Sequence, residues 1–557
     1  MCFNAAAVTR RWPLLVAMAL LLAAVSGVAA ATLWRPEGHA PPTGPDAPRF
    51  VEEAESAGVT HAYDGEFMFF VGGGVATFDC DDDGRQDLYL AGGSQPAALF
   101  RNQSPVGGAL GFESVPAPET DLPGVTGAYP LDIDGDAITD LAVLRLGENV
   151  LLRGLGDCRF ERANEAWGYD GGDAWTAAFS ATWEAPNGFP TLAFGNYLVR
   201  ESVEDRSYVC DDSELVRPNA DGSSYGAPIR LSPGWCPLSM LFSDWDRSGR
   251  RDLRLSNDRH YNRTGEEQLW RVERGQPPRP WTLEEGWQRM RIWGMGIASQ
   301  DLTGDGFPEI YLTSQADNKL QTLADGPSQP RYRDIAIERK ATAHRPYAGG
   351  DPLPSTAWHA QFEDVNNDGV MDLFVTKGNV EAQSEYAVRD PSNLLIGQAD
   401  GTFVEGAEEA GITDYLRARG AAVTDLNLDG LLDLVIVNRR ENVSLWRNLG
   451  RGDAEAYEPM GNWIAIRLED DSANRDAIGA WIEIRVGDRT IHRELTVGGG
   501  HASGQLGWVH VGIGQAQEAV VTVTWPDGVR GEDQPVEANR FVILPRDGEP
   551  TEWQPTD

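Results

Sequence analysis

The chain has 557 residues, is 41% hydrophobic and carries a formal net charge of −38. That length exceeds one ordinary core, so several domains or a repeat array are expected, and the hydrophobic content is that of a globular protein. The charge argues against nucleic acid, whose affinity depends on neutralising phosphates, and disfavours docking on an anionic membrane surface.

In chain order, "TRRWPLLVAMALLLAAVSGVAAATLW" comes first, a basic start (Arg10, Arg11) followed by an uncharged apolar run. Residues 1–34 are therefore predicted to be a signal peptide or an N-terminal membrane anchor, with export and cleavage favoured. Either way the bulk of the chain is expected outside the cytoplasm: secreted, periplasmic or anchored. Beyond Cys2, four cysteines remain, Cys80, Cys158, Cys210 and Cys236. An even count in an exported chain predicts disulfides, and four cysteines allow three connectivities. Cys210–Cys236 is preferred because it would close one long insertion; Cys80–Cys158 then follows by elimination.

From Asp79 onward one pattern recurs. "DCDDDGRQDLYL" places Asp79, Asp81, Asp83 and Asp87 at positions 1, 3, 5 and 9 of a short loop before an apolar run. The second copy carries Asp132, Asp134, Asp136 and Asp140 at those positions, and the next recognisable one carries Asp244, Asp246, Ser248 and Asp252. Asp301, Thr303, Asp305 and Glu309 follow, then Asp364, Asn366, Asp368 and Asp372, and finally Asp425, Asn427, Asp429 and Asp433. Five of these six have glycine at position 6; the second has Ala137. The double gap before Asp244 holds "TWEAPNGFPTLAFGNYL", which aligns on Gly188 but offers Trp183, Ala185, Asn187 and Thr191 at the ligand positions. It reads as a copy, third in chain order, that has lost its ligands. Copies recur about every 50–63 residues, near the period of a propeller blade.

Side chains at 1, 3 and 5 of a tight loop can converge on one point, with glycine at 6 supplying a positive φ. A carbonyl at 7 and a carboxylate at 9 complete an oxygen cage of the kind Ca²⁺ prefers, so up to six Ca²⁺ sites are expected. Position 12 is apolar (Leu90 in the first copy) and the flanking segments are β-rich, which excludes an EF-hand. Merely solvated acidic turns have no reason to keep a 1-3-5-9 pattern six times. Ser248 and Thr303 replace carboxylates and are expected to weaken their sites, and Ala137 is strained if left-handed. Each copy reads as strand, loop, strand, turn, strand, a small sheet that buries its faces only against radial neighbours.

These repeats resemble the FG-GAP/VCBS-type propellers related to the integrin α head, and more closely the bacterial relatives of cartilage acidic protein. The resemblance implies an all-β protein, a seven-bladed β-propeller over 48–450 with Ca²⁺ on one face. After "LWRNLGRGDAEAYEP" the texture changes to short alternating runs with turns at "VGDR", "GGGHASG" and "WPDG". This predicts a small antiparallel β-sandwich over 458–546, with 547–557 as a tail. "NRDAIGA", "GGGHASGQ" and "WPDG" resemble an ASPIC/UnbV domain, in which Arg475, Asp476, Gly479 and the Asp527–Gly528 turn are expected to be structural. The "RGD" at 451–453 is given no weight.

No catalytic signature is present. His260, His344, His359 and His501 stand outside any local motif, and no pair is spaced for zinc. The expected function is an extracytoplasmic calcium-binding propeller acting as a binding or adhesion module for a protein or glycan ligand. The insertions 200–236, 341–356 and 378–392 are its candidate ligand loops. The alternatives are a calcium-dependent carbohydrate-active enzyme of lyase type, with His359 or His260 near an open cage, and an accessory protein of envelope assembly. No catalytic residue is assigned.

Overall fold

Each acidic loop is the hairpin between the first and second strands of a four-stranded sheet. In the first copy Val75–Phe78 leads into the loop and Asp87–Leu90 leads out. Ala98–Asn102 and Phe112–Ser114 complete that sheet as an antiparallel meander. The position-9 residue is always the first residue of the second strand: Asp87, Asp140, Asp252, Glu309, Asp372 and Asp433. The computed structural model describes residues 46–185, 188–259, 261, 264–381, 383–453 and 457–555. The N-terminal segment 1–34, Asn187 and His260 lie outside the described residues.

Among the described residues, the strands between Phe50 and Asn448 fall into seven sheets. Their first strands are Val75–Phe78, Val125–Leu131, Thr176–Thr182, Pro237–Ser243, Gly294–Gln300, Ala357–Glu363 and Ala418–Thr424. Each contacts the next, and the last contacts the first, so the sheets close into a propeller-like ring. The closing sheet is completed by Phe50–Glu52, which pairs with Ser444–Asn448 from the far end of the ring. That pairing removes the free edges an open row of sheets would expose.

The local sequence explains the radial order. First strands such as "TAAFSAT" and "ARGAAVT" are rich in small residues and buried throughout, because seven backbones must converge on one axis. Outermost strands such as Phe112–Ser114 and Phe160–Arg162 bury only one residue each. Six of the seven first strands carry a register shift near their start, as between Val125 and Gly127 or Ala418 and Ala421. Such bulges bend the strand as it meets the axis. Both disulfides form: Cys80–Cys158 ties the first acidic loop to the second sheet, and Cys210–Cys236 closes the insertion before the fourth.

The C-terminal part has two four-stranded sheets. One orders Val509–Gly514, Asn462–Glu469, Arg540–Pro545 and Thr551–Trp553; the other Arg489–Glu494, Trp481–Val486, Glu518–Thr524 and Gln534–Glu537. Ile464, Ile466, Ile482, Ile484, Val521 and Val542 pack between them. Two details depart from the expected plain antiparallel sandwich with a tail. Asn462–Glu469 runs parallel to Arg540–Pro545, since these two strands are joined by most of the domain and not by a hairpin. Thr551–Trp553, inside the expected tail, pairs with Arg540–Pro545 as an edge strand.

The two parts are not beads on a string, and residues 47–557 form one unit. The loop "VGGGHASGQ", Val497–Gln505, leaves the sandwich and enters the axis of the ring. Val497, Gly498, Gly500 and Ser503 bridge to Ala181, Leu241, Ile297 and Ala128 on four different first strands. Gly504–Gln505 then adds parallel to Ala76–Thr77 as a fifth strand of that sheet. The approach is so close that a Cβ on Gly74 or Gly127 would be driven into the Ala502 carbonyl. His501 is fully buried at the tip: its Nε2 accepts from Gly72 N–H at 3.2 Å and its Nδ1–H donates to the Leu238 carbonyl at 3.2 Å.

Candidate metal sites

The acidic loops share one backbone. Position 1 folds the loop by accepting main-chain N–H groups. Asp79 Oδ2 accepts from Gly84 at 2.7 Å, and the equivalent bonds are Asp132–Ala137 (2.9 Å), Asp244–Gly249 (3.0 Å), Asp301–Gly306 (2.9 Å), Asp364–Gly369 (2.7 Å) and Asp425–Gly430 (2.8 Å). Position 6 has positive φ in all six copies, and Ala137 adopts φ 65° in the place of glycine. Position 4 is left-handed as well, at Asp82, Gly135, Arg247, Gly304, Asn367 and Leu428. Only sterics favour glycine there, and three of the six are neither glycine nor asparagine, so a glycine search does not reveal it.

Position 9 stitches the loop to the sheet. Asp87 accepts from Cys80 N–H and from Asn102 N–H, each at 2.7 Å. Asp140, Asp372 and Asp433 repeat that pair of bonds, and Glu309 repeats the first and replaces the second by a bond from the Thr322 hydroxyl. Asp252 keeps a longer form of the second bond, from Val272 N–H at 3.4 Å, and in place of the first accepts from the indoles of Trp245 and Trp281, each at 2.9 Å.

In the first copy carboxylate oxygens of Asp79, Asp81 and Asp87 lie within 4.8 Å of one another, and in the second those of Asp132, Asp134 and Asp136 do. Burial is the main reason that Asp79 is pushed up to about 6, Asp132 to about 7, Glu309 to about 7 and Asp364 to about 8. Asp87, Asp140, Asp372, Asp425 and Asp433 are also held well above the carboxylate range by burial and by neighbouring aspartates. A cation beside such groups would favour their ionised form. Several buried oxygens at ligand positions have no protein donor: Oδ1 of Asp81, Asp134, Asp244 and Asn427. Buried acceptors are rarely left so, and an oxygen-ligated cation fits them.

Arginine and histidine compete for the same oxygens in some copies. Arg153 holds Asp134 at 2.7 Å and Asp136 at 2.8 Å; Arg250 holds Asp252 at 3.0 Å and Asp246 at 3.1 Å. His492 of the sandwich bonds Asp301 at 2.8 Å. In the last two copies the amides of Asn366 and Asn427 lie 3.3 and 3.1 Å from Asp368 and Asp429. The expected weakening of the fourth copy thus has a second cause beyond Ser248, the guanidinium of Arg250.

The sandwich covers the face that bears these loops. Glu494 accepts from Asp244 N–H at 2.7 Å, Arg493 pairs with Glu363 at 2.7 Å, His510 bonds Asn367 at 2.7 Å, and Arg251 donates to the Gly479 carbonyl at 2.7 Å. The opposite mouth of the ring is lined by Phe67, Trp175, Tyr197, Tyr208 and Tyr261 in edge and stacked contacts. His359 is almost wholly buried. It is 4% exposed beneath the axial loop, its Nδ1 accepts from His501 N–H at 3.1 Å, and burial pushes it down to about 4.

A ring of four-stranded sheets with acidic hairpins on one face, covered by a β-sandwich, is a propeller-like, all-β architecture. Residues 364–436 match the FG-GAP-like repeat and residues 470–551 match the ASPIC and UnbV domain. Cartilage acidic protein 1 of Mus musculus is 25% identical over 248 residues, 42% of this chain and 34% of that protein. The Homo sapiens protein of the same name is also 25% identical, over 42% of this chain and 33% of its own length. The chain therefore matches about a third of the length of these curated relatives. Among solved structures, an Agrocybe aegerita lectin that recognises non-reducing terminal N-acetylglucosamine is 16% identical (69% of this chain, 92% of that one, TM-score 0.40). PorZ, a surface component of the type-IX secretion system of Porphyromonas gingivalis, is 12% identical (84% and 60%, TM-score 0.38).

Proposed function

We propose that this protein is an extracytoplasmic binding module, for a protein or glycan ligand, whose ring is stapled by calcium at up to six hairpins. The observation that carries the reading is the shared loop: six hairpins with one backbone, crowded buried carboxylates and unpartnered buried oxygens at ligand positions. Side chains at positions 1, 3, 5 and 9 would hold the ion, which would supply positive charge where the fold crowds buried carboxylates. Two disulfides suit an oxidising compartment, and no helix among the described residues is long and apolar enough to cross a membrane.

The test is calcium binding by calorimetry together with melting in calcium and in excess chelator. The expected result is several bound ions per chain and a melting temperature markedly lower in chelator. An unchanged melt, with no calcium bound, would sink the reading. Partner capture from the cell's own envelope and polysaccharide extract, in calcium and in chelator, then reports the ligand.

A further inference from the structure

The third copy, which lacks the ligand pattern, leaves a gap in the ring of acidic loops, and the sandwich roofs it. Between them is a cleft of about 760 Å³, within the range of small-molecule sites. Trp183 stands where the other copies carry the position-1 aspartate. It is 6% exposed, Trp481 of the sandwich across the cleft is 5% exposed, and neither indole N–H has a protein acceptor. In the same walls the Thr182 hydroxyl, Glu184 Oε2 and the Arg251 Nε–H are also without partners. Five unmade hydrogen bonds in one cleft contrast with the rule that buried polar groups are satisfied.

The charges of the cleft are largely spent on one another. Arg250 is bound by Asp246 and Asp252; Arg546 by Asp470 (3.1 Å) and Asp527 (2.5 Å). Arg217 takes one oxygen of Glu184 at 2.7 Å, and Arg247 lies 4.0 Å over the Trp481 ring. The five acids and five arginines of the lining cancel in sum, and the unpartnered groups are a balanced mixture of donors and acceptors. A hydroxyl both donates and accepts, and a saccharide presents several on a rigid frame.

We propose that the cleft between the third copy and the sandwich, walled by Trp183, Glu184, Arg251 and Trp481, binds a neutral oligosaccharide. This rests on the reading of the protein as a binding module and names its ligand class; it does not require calcium at any hairpin.

The test titrates the full mature chain with cellotriose, chitotriose and maltotriose, and with a trigalacturonate as the charged counter-probe. Heat and tryptophan fluorescence are the readouts. At least one neutral trisaccharide should bind. Trp183→Phe and Trp481→Phe, which keep the ring and delete the N–H, should each weaken it about fivefold, the loss of one hydrogen bond. Trp553→Phe, at the outer edge strand, should leave it unchanged, and melting curves verify that each variant is folded. No binding by any neutral probe, binding indifferent to both cleft variants, or preference for the galacturonate would overturn the proposal. Melting of the same preparations in calcium and chelator separates the two readings: loss of calcium stabilisation with saccharide binding intact removes the staple and leaves the cleft.

Discussion

At the scale of single residues, the position-1 aspartates fold the hairpin through main-chain N–H groups and, in the proposed function, would also face the ion. Asp364→Ala removes a buried acceptor from Gly369 N–H (2.7 Å) and Asp368 N–H (3.1 Å). It should cost about 2–3 kcal/mol, and more than Asp244→Ala, since Ser248 and Arg250 already weaken the fourth copy. Urea unfolding in calcium measures both, and the gap between them should narrow in chelator. The 1-3-5-9 pattern was legible because it rests on side-chain type. The left-handed position 4 was not, because Arg247 and Leu428 advertise nothing of the kind and are held there by context. His501 gives a pH signature. Burial, with Arg419 and His359 as further charged or titratable neighbours, pushes it down to about 3. The folded state keeps it neutral while the unfolded chain protonates it below about 6.5. Its contribution is therefore complete above that pH and is lost as pH falls toward the folded value. Between pH 7 and 5.5 the wild type should lose about 1.3 kcal/mol more than His501→Gln, measured as unfolding free energy in calcium.

At the scale of elements, the two disulfides differ in reach. Cys80–Cys158 spans 78 residues and Cys210–Cys236 spans 26. Loop entropy makes the first worth about 1 kcal/mol more, so Cys80→Ala/Cys158→Ala should lower the unfolding free energy by that much more than Cys210→Ala/Cys236→Ala. The sheets were readable because each ends its first strand in a carboxylate loop and begins the second with an apolar run. The axial loop was not: "GGGHASG" reads as a turn, and nothing within it says that Val497–Gln505 meets residues hundreds of positions earlier. The clue lay in the partner glycines, Gly74, Gly127 and Gly420, whose missing side chains make room for Ala502 and Ser503. Gly74→Ala should dislodge the loop, and calorimetry should then show the single melting transition split or shift down by several degrees.

At the scale of the whole molecule, charge sets the terms. A net −38 would become −26 with six divalent ions, adding 2 × 6 charges, and self-repulsion of the compact state would fall accordingly. Composition made an acidic, globular chain legible. The roofing of the acidic face by the sandwich was not, because it depends on pairs such as Glu494–Asp244 and His510–Asn367 that no spacing encodes.

The axial loop also sets an order of events. A ribosome makes Phe50–Glu52 early, yet that strand has no partner until Ser444–Asn448 has emerged, and the axis stays hollow until Gly504–Gln505 follows. Nearly the whole chain must be translated before either end of the ring is settled. A nascent chain of this kind remains open for most of its synthesis, which suits passage across a membrane in an unfolded state and leaves any prematurely terminated product without a finished core.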